Sequence, residues 1–170
     1  AAALAERHGV GTGTHVGLAA ANSLEWIVVY LAVTSLGGVV VAFNGWWTGA
    51  EIAYGVGLTE PGLLIADRRR AERLDGTGTT VATVVLEDEF DAWRSFAPGA
   101  PMPAVDIEPD DPVAVLFTSG TTGRPKGAVL THRGVLMLVT STAFTAARSV
   151  AERPQTSPTY PPCTLVQLPL

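Results

Sequence analysis

Short apolar runs alternate with helix-like stretches along the first 95 residues of the chain. The apolar runs are rich in valine, leucine and isoleucine, a composition typical of strands that are buried on both faces. The pattern predicts strands at 16–20, 39–43, 62–66 and 81–86, and helices at 2–7, 23–36, 48–57, 68–74 and 89–95. Strands that alternate with helices in this way predict an α/β fold with a mostly parallel sheet.

The second part of the chain has a different pattern. Residues 96–112 form a connector rich in proline and acidic side chains. Two β-rich runs, 113–118 and 128–131, then flank a loop of glycine and hydroxyl residues, which predicts a strand–loop–strand hairpin. A helix at 132–148, a loop at 151–162 and the start of a strand at 164–168 follow. We therefore expect an alternating unit (1–95), a connector (96–112) and a hairpin region (113–170) within one domain.

One uncharged stretch, residues 26–50, is long enough to suggest a membrane span. Turn residues at 34–38 divide it, so a helix followed by a strand is the favoured interpretation. Because the helix is apolar nearly all round, we expect it to be buried. We therefore expect no transmembrane segment.

The hairpin loop contains the only lysine of the chain, Lys126, within the sequence TSGTTGRPKG at 118–127. Glycines let successive backbone N–H groups point at one anion, hydroxyls add donors, and a lysine adds a compact positive charge. The segment therefore predicts phosphate binding. The plain alternative is a glycine-rich turn with a solvated lysine.

A Walker-type phosphate loop does not fit the same segment. Such a loop needs a second glycine before its lysine and a magnesium-binding hydroxyl after it. Pro125 and Gly127 occupy those two positions here. The β-rich flanks also differ from the helix that follows a Walker loop, so a GTPase or ATPase of that kind is not expected.

The ordered string TSGTTGRPKG resembles the signature loop of the adenylate-forming superfamily, which contains acyl-CoA synthetases, non-ribosomal peptide adenylation domains and luciferases. Residues 16–23 and 38–44 are similar to the first strands of that family, and 44–48 is similar to bacterial fatty-acyl-CoA synthetases. The resemblance extends over essentially the whole chain. It implies part of the large N-terminal domain of an adenylate-forming enzyme.

The resemblance also implies a chemistry. A carboxylic acid reacts with ATP to give an acyl-adenylate and pyrophosphate, and coenzyme A then accepts the acyl group, with Mg²⁺ as cofactor. Lys126 would supply the catalytic charge, and the hydroxyl of Thr118 would also touch the magnesium ion. The residues implied to bind the ATP phosphates are Thr118, Ser119, Gly120, Thr121, Thr122, Gly123, Lys126 and Gly127.

Composition narrows the remaining possibilities. A net charge of −5 argues against non-specific nucleic-acid binding, and a single cysteine, Cys163, allows no internal disulfide. We expect a solvated helix face for Arg68 to Arg70, packing roles for Trp46 and Trp47, and capping or packing for His132.

Both ends of the chain read as cut, and the opening residues do not fit a signal peptide. We expect the N-terminal part of a cytoplasmic acyl-CoA synthetase that is inactive alone. Two alternatives stay open: an amino-acid adenylation domain serving a carrier protein, and a non-catalytic nucleotide-binding remnant. For the acyl-CoA synthetase we expect a fatty acid or a related carboxylic acid as substrate.

Overall fold

The computed structural model describes residues 1–118 and 124–152. In these residues six strands form one sheet in the order β4-β3-β1-β2-β5-β6. The first five strands are parallel, and the last is antiparallel to β5. The strands are β1 His15–Ala19, β2 Val39–Ala42, β3 Leu63–Ala66, β4 Thr83–Val85, β5 Pro112–Thr118 and β6 Lys126–Thr131.

Helices alternate with the parallel strands β1 to β4, as the pattern predicts, and a further helix follows β6. They are α1 Ala2–His8, α2 Leu24–Ser35, α3 Gly49–Thr59, α4 Arg68–Ala71 with a 3₁₀ turn at Glu72–Leu74, α5 Leu86–Arg94 and α6 His132–Ala151. The expected α/β fold with a mostly parallel sheet is confirmed. The expected strand at 164–168, Cys163 and most of the expected loop at 151–162 lie outside the described residues.

Alternate side chains of the central strands enter two separate cores. Val16, Leu18 and Val40 pack with α1, α2 and α5 on one face of the sheet. Val41 and Leu64 pack with α3 and α4 on the other face. Both faces of the strands are therefore covered, which explains why the strands are apolar throughout rather than alternating.

Side-chain caps fix where the helices begin. The Ser23 hydroxyl accepts a hydrogen bond from the Trp26 amide at 3.2 Å. Thr48 and Glu51 form the capping box that their spacing predicts: the Thr48 amide donates to the Glu51 carboxylate at 2.8 Å, and the Glu51 amide donates to the Thr48 hydroxyl. These bonds to Thr48 lower the pKa of Glu51. The start of α3 is thereby fixed beside the end of β2.

The expectation that α2 is buried is wrong. Val29 and Val33 are buried, but Leu24 is 69% exposed and Leu31 is 58% exposed. A helix laid on one face of a sheet buries only the stripe that meets the sheet, and no described residue covers the outer stripe of α2. The apolar composition of α2 on all sides therefore predicted more burial than the described residues provide.

Two helix boundaries differ from expectation by three residues. The acidic helix α5 begins at Leu86 rather than at 89, because Leu86 turns into the core as the first helical residue and β4 ends at Val85. The last helix, α6, continues to Ala151 rather than ending at 148. Among the described residues α6 is the one helix long and apolar enough to cross a membrane, and none of it is buried. Helices that pack inside larger domains pass the same test, so this feature is weak evidence for a membrane span.

Arg70 is buried rather than solvated, which corrects the expectation for the arginine run. Its side chain is 10% exposed and forms an ion pair with Asp67, and its Nε donates to the Gly45 carbonyl at 3.0 Å. Asp67 also accepts a hydrogen bond from the Ala21 amide at 2.9 Å. Arg68 and Arg69 are exposed as expected. The buried pair thus joins the carboxyl ends of β1, β2 and β3.

Replacing Asp67 by alanine tests this junction. We expect Asp67→Ala to lower the free energy of unfolding by about 3 kcal/mol, because it leaves the buried Arg70 guanidinium without its counter-charge. The double variant Asp67→Ala/Arg70→Met is expected to recover part of that loss. Urea denaturation measures both values, and a loss below about 0.5 kcal/mol for Asp67→Ala would show that the pair is not buried in solution.

Candidate functional site

The candidate phosphate-binding segment leaves the sheet at the end of β5. Thr118 pairs with Lys126, and Phe117 pairs with Gly127, in the antiparallel ladder between β5 and β6. The predicted strand–loop–strand arrangement is therefore present in the described strands. The central residues lie outside the described part of the chain, so their phosphate-binding roles stay predictions; they are Ser119, Gly120, Thr121, Thr122 and Gly123.

Lys126 is the first residue of β6, two residues before the strand start expected at 128. Its position opposite Thr118 explains the shift, because pairing with β5 extends the strand up to the proline. Lys126 is exposed and forms no ion pair with any carboxylate of residues 1–118 or 124–152. Its ammonium group is therefore available to an anion.

Gly127 also lies in β6, and the structure shows why the position excludes a side chain. A Cβ on Gly127 would lie 2.8 Å from Cγ1 of Val115, well inside van der Waals contact. The glycine therefore permits β6 to lie close against β5. Its expected contact with a nucleotide stays a prediction.

An aromatic cluster lies beneath the end of β5. The rings of Trp47 and Phe117 are 4.8 Å apart, and those of Phe43 and Phe117 are 5.7 Å apart, centroid to centroid. Trp47 is 8% exposed, so its expected packing role is confirmed, whereas Trp46 is 78% exposed and does not share that role. The cluster, Phe43, Trp47 and Phe117, attaches the hairpin to the turn that follows β2.

The turn between β2 and α3, residues 44–48, is itself tightly held. The Asn44 side-chain oxygen accepts from the Trp46 amide at 2.9 Å. Arg73 donates to the carbonyls of Gly45 and Trp47 at 3.1 and 2.6 Å. Because β2 and β5 are adjacent and parallel, this turn and Thr118 lie at the same carboxyl edge of the sheet. Ligands of open α/β sheets bind at this edge.

A second cation of the segment, Arg124, reaches α3. Its guanidinium lies 5.7 Å from the centroid of the Tyr54 ring. The sequence offers no signal for this contact, because Tyr54 is one half-buried residue of a helix and is 70 residues from Arg124 in the chain. Arg124 and Lys126 together place two positive charges near the C-terminal end of the segment, where β6 begins.

The helix that follows the hairpin is capped by Thr131, not by His132. The Thr131 hydroxyl accepts from the Gly134 amide at 3.2 Å. The His132 amide donates to the Asp111 carbonyl, and its Nε2 atom is buried without a partner among the described residues. The Arg133 guanidinium hydrogen-bonds to Asp110 and holds the pKa of that carboxyl below its usual value. The residues that follow β6 are thus hydrogen-bonded to the end of the connector, just before β5.

Among the described residues of the segment, the expected magnesium ligand is Thr118. The Thr118 hydroxyl, which donates to the Lys126 carbonyl at a long 3.5 Å, supplies a hard oxygen of the kind that Mg²⁺ prefers. Within the described residues no group of three His, Cys, Asp or Glu side chains could hold a metal ion. A single hydroxyl fits a magnesium ion only as one member of a larger ligand set.

The chain is similar in sequence to known proteins. The family model described as AMP-binding enzyme matches residues 1–166. The chain is 38% identical to 4-coumarate–CoA ligase 2 of Oryza sativa subsp. japonica over 157 residues, covering 80% of this chain and 28% of that protein. It is 34% identical to the L-proline–[L-prolyl-carrier protein] ligase of Pseudomonas fluorescens over 135 residues, covering 77% of this chain and 27% of that protein.

A solved structure shows the same fold. The N-terminal domain of FACL13 from Mycobacterium tuberculosis superposes with a TM-score of 0.69 and 28% identity, covering 77% of this chain and 34% of that one. The chain spans about a quarter of the length of the curated 4-coumarate–CoA ligases that it matches.

The packing of Gly127 gives a testable prediction. We expect Gly127→Ala to cost about 1–3 kcal/mol of folding free energy, because the new methyl group collides with Val115. In the double variant Gly127→Ala/Val115→Ala the collision is removed, so its cost should be smaller than the sum of the two single costs. Chemical denaturation measures the four free energies. Simple additivity would mean that the two positions are not in contact.

Proposed function

Because the chain belongs to the AMP-binding enzyme family, we propose that it is the phosphate-binding part of an ATP-dependent acyl-CoA synthetase. The observation that supports this most is the sequence TSGTTGRPKG at 118–127, whose lysine lies at the carboxyl edge of the sheet and has no carboxylate partner among the described residues. The proposed substrates are a carboxylic acid, of the fatty or related class, ATP and coenzyme A. The proposed location is the cytoplasm, where ATP and coenzyme A are supplied.

The proposed reaction has two steps. A carboxylate oxygen attacks the α-phosphorus of ATP, and the bond to the β-phosphate oxygen breaks, which releases pyrophosphate and leaves an acyl-adenylate. The thiol sulfur of coenzyme A then attacks the acyl carbon, its proton is lost, and AMP departs with the electrons of the broken bond. Charge accumulates on the departing pyrophosphate in the first step, so groups that stabilise that charge lower the barrier.

The described residues can supply part of that stabilisation. Lys126 offers a free ammonium at the start of β6, and Thr118 offers a hydroxyl directly opposite. A magnesium ion, when bound, would neutralise charge on the β- and γ-phosphates. Beneath them, the packing of Phe117 on Trp47 attaches β5 to the turn that follows β2. The protein would thus act by positioning and charge rather than by proton transfer.

An amino-acid adenylation domain is the second candidate. The similarity to the L-proline–[L-prolyl-carrier protein] ligase favours it, since that match covers nearly as much of this chain as the match to the 4-coumarate–CoA ligase. Both candidates share the first step and differ in the acceptor thiol. Thioester formation by the full-length protein with coenzyme A, compared with a carrier protein, separates them.

Lys126 provides the test of the shared first step. In the full-length protein we expect Lys126→Ala to lower the rate of ATP–pyrophosphate exchange about tenfold or more, because a charge-assisted hydrogen bond to the phosphates is lost. The surface variant Arg94→Ala serves as control, since Arg94 is exposed and pairs only with Asp91 among the described residues. An exchange rate equal to that of the wild type in Lys126→Ala would remove Lys126 from the mechanism.

A further inference from the structure

Arg124 has one recognisable contact in the described part of the chain, the ring of Tyr54. The guanidinium carbon lies 5.7 Å from the ring centroid, within the range of a cation–π interaction. No carboxylate of residues 1–118 or 124–152 forms an ion pair with Arg124. The aromatic face is thus the feature that sets where this cation lies.

Tyr54 stands on a rigid support. Its helix, α3, begins at the Thr48–Glu51 capping box, and the next residue, Gly55, packs so closely on Phe43 that a Cβ would lie 2.6 Å from the ring. Ile52 of the same helix is fully buried. The ring can therefore act as a fixed point for a group that comes from another part of the chain.

Arg124 is two residues before Lys126, and only Pro125 separates them. The proline fixes its own φ and restricts Arg124 to extended conformations, so the two cations are joined by a stiff link. Fixing the guanidinium on Tyr54 therefore also limits the directions available to the Lys126 backbone. The contact couples α3 to the phosphate-binding end of β6.

We propose that Tyr54 is a positioning residue for the phosphate-binding segment. Its ring holds Arg124 by a cation–π contact and so fixes the place from which Lys126 meets the ATP phosphates. This inference rests on the proposed function. An exposed cation–π contact predicts an effect of about two- to fivefold, smaller than that expected for removal of Lys126 itself.

The lone lysine allows a test that does not require nucleotide. A lysine-specific protease cuts the 170 residues of this chain only after Lys126, and cutting a native protein requires local opening at that bond. In the full-length protein, the fragment ending at Lys126 is quantified by mass spectrometry. The cleavage rate of each protein variant is divided by the cleavage rate of a synthetic peptide with the same sequence around Lys126. This ratio removes any direct effect of the substitution on recognition by the protease.

We expect Tyr54→Leu and Arg124→Gln each to raise the cleavage rate about two- to fivefold, because each removes one partner of the contact. The double variant should be cut no faster than the faster single variant. Tyr54→Phe keeps the aromatic face, and the Tyr54 hydroxyl makes no hydrogen bond to a described residue, so this variant should match the wild type. Leu58→Ala, a half-exposed position on the same helix, should also match it.

Nucleotide kinetics complete the test. We expect Tyr54→Leu to raise KM for ATP in the exchange reaction about two- to fivefold with a smaller change in kcat, and Tyr54→Phe to restore the wild-type KM. Wild-type cleavage rates in both Tyr54→Leu and Arg124→Gln, additive effects in the double variant, or a lowered KM in Tyr54→Leu would each overturn the proposal. Arg124 lies on the surface, so its variant tests the contact even if Tyr54→Leu fails to fold.

The two proposals fail in different ways. One outcome combines non-additive cleavage rates in the Tyr54 and Arg124 variants with no ATP–pyrophosphate exchange in the wild type. It would contradict the synthetase function and support the role of Tyr54 in placing Arg124. ATP–pyrophosphate exchange that depends on Lys126 but not on the Tyr54 ring would support the synthetase function and contradict the positioning role of Tyr54.

Discussion

The packing of Phe117 against Trp47 and Phe43 is the interaction on which the candidate site depends. It connects the last parallel strand to the turn after β2, at the edge of the sheet where ligands of this architecture bind. The pairing of β5 with β2 ends at Leu116, and the packing of Phe117 attaches the hairpin to the rest of the sheet one residue further toward the segment. With this packing, the lysine of β6 has a defined place relative to α3.

The chemistry of the segment follows from the charged groups that have no partner near this aromatic packing. Near the turn that follows β2, Arg70 is paired with Asp67, and Arg73 donates to the backbone carbonyls of Gly45 and Trp47. Lys126 and Arg124 differ from Arg70, because neither forms an ion pair with a carboxylate of the described residues. An unpaired cation beside glycines and hydroxyls is suited to an anionic ligand rather than to a structural role, which agrees with membership of the AMP-binding enzyme family.

The sequence predicted those features that depend on local pattern. Alternating apolar runs predicted the parallel sheet, and the spacing of Thr48 and Glu51 predicted the capping box, because both depend on neighbours along the chain. It did not predict features that depend on distant partners. The sequence predicted a solvated Arg70, because its burial depends on residues that follow three different strands. The Tyr54–Arg124 contact likewise joins residues from separate elements. The exposure of α2 likewise depends on what covers a helix, which composition alone does not specify.

The central claim is that residues 118–127 bind the polyphosphate of ATP. A crystal structure of the full-length protein with a non-hydrolysable ATP analogue tests it most directly. The account predicts β- or γ-phosphate oxygens about 2.7–2.9 Å from Nζ of Lys126, the distance of a charge-assisted hydrogen bond. A polyphosphate bound at another edge of the sheet, with Lys126 still facing solvent, would contradict it.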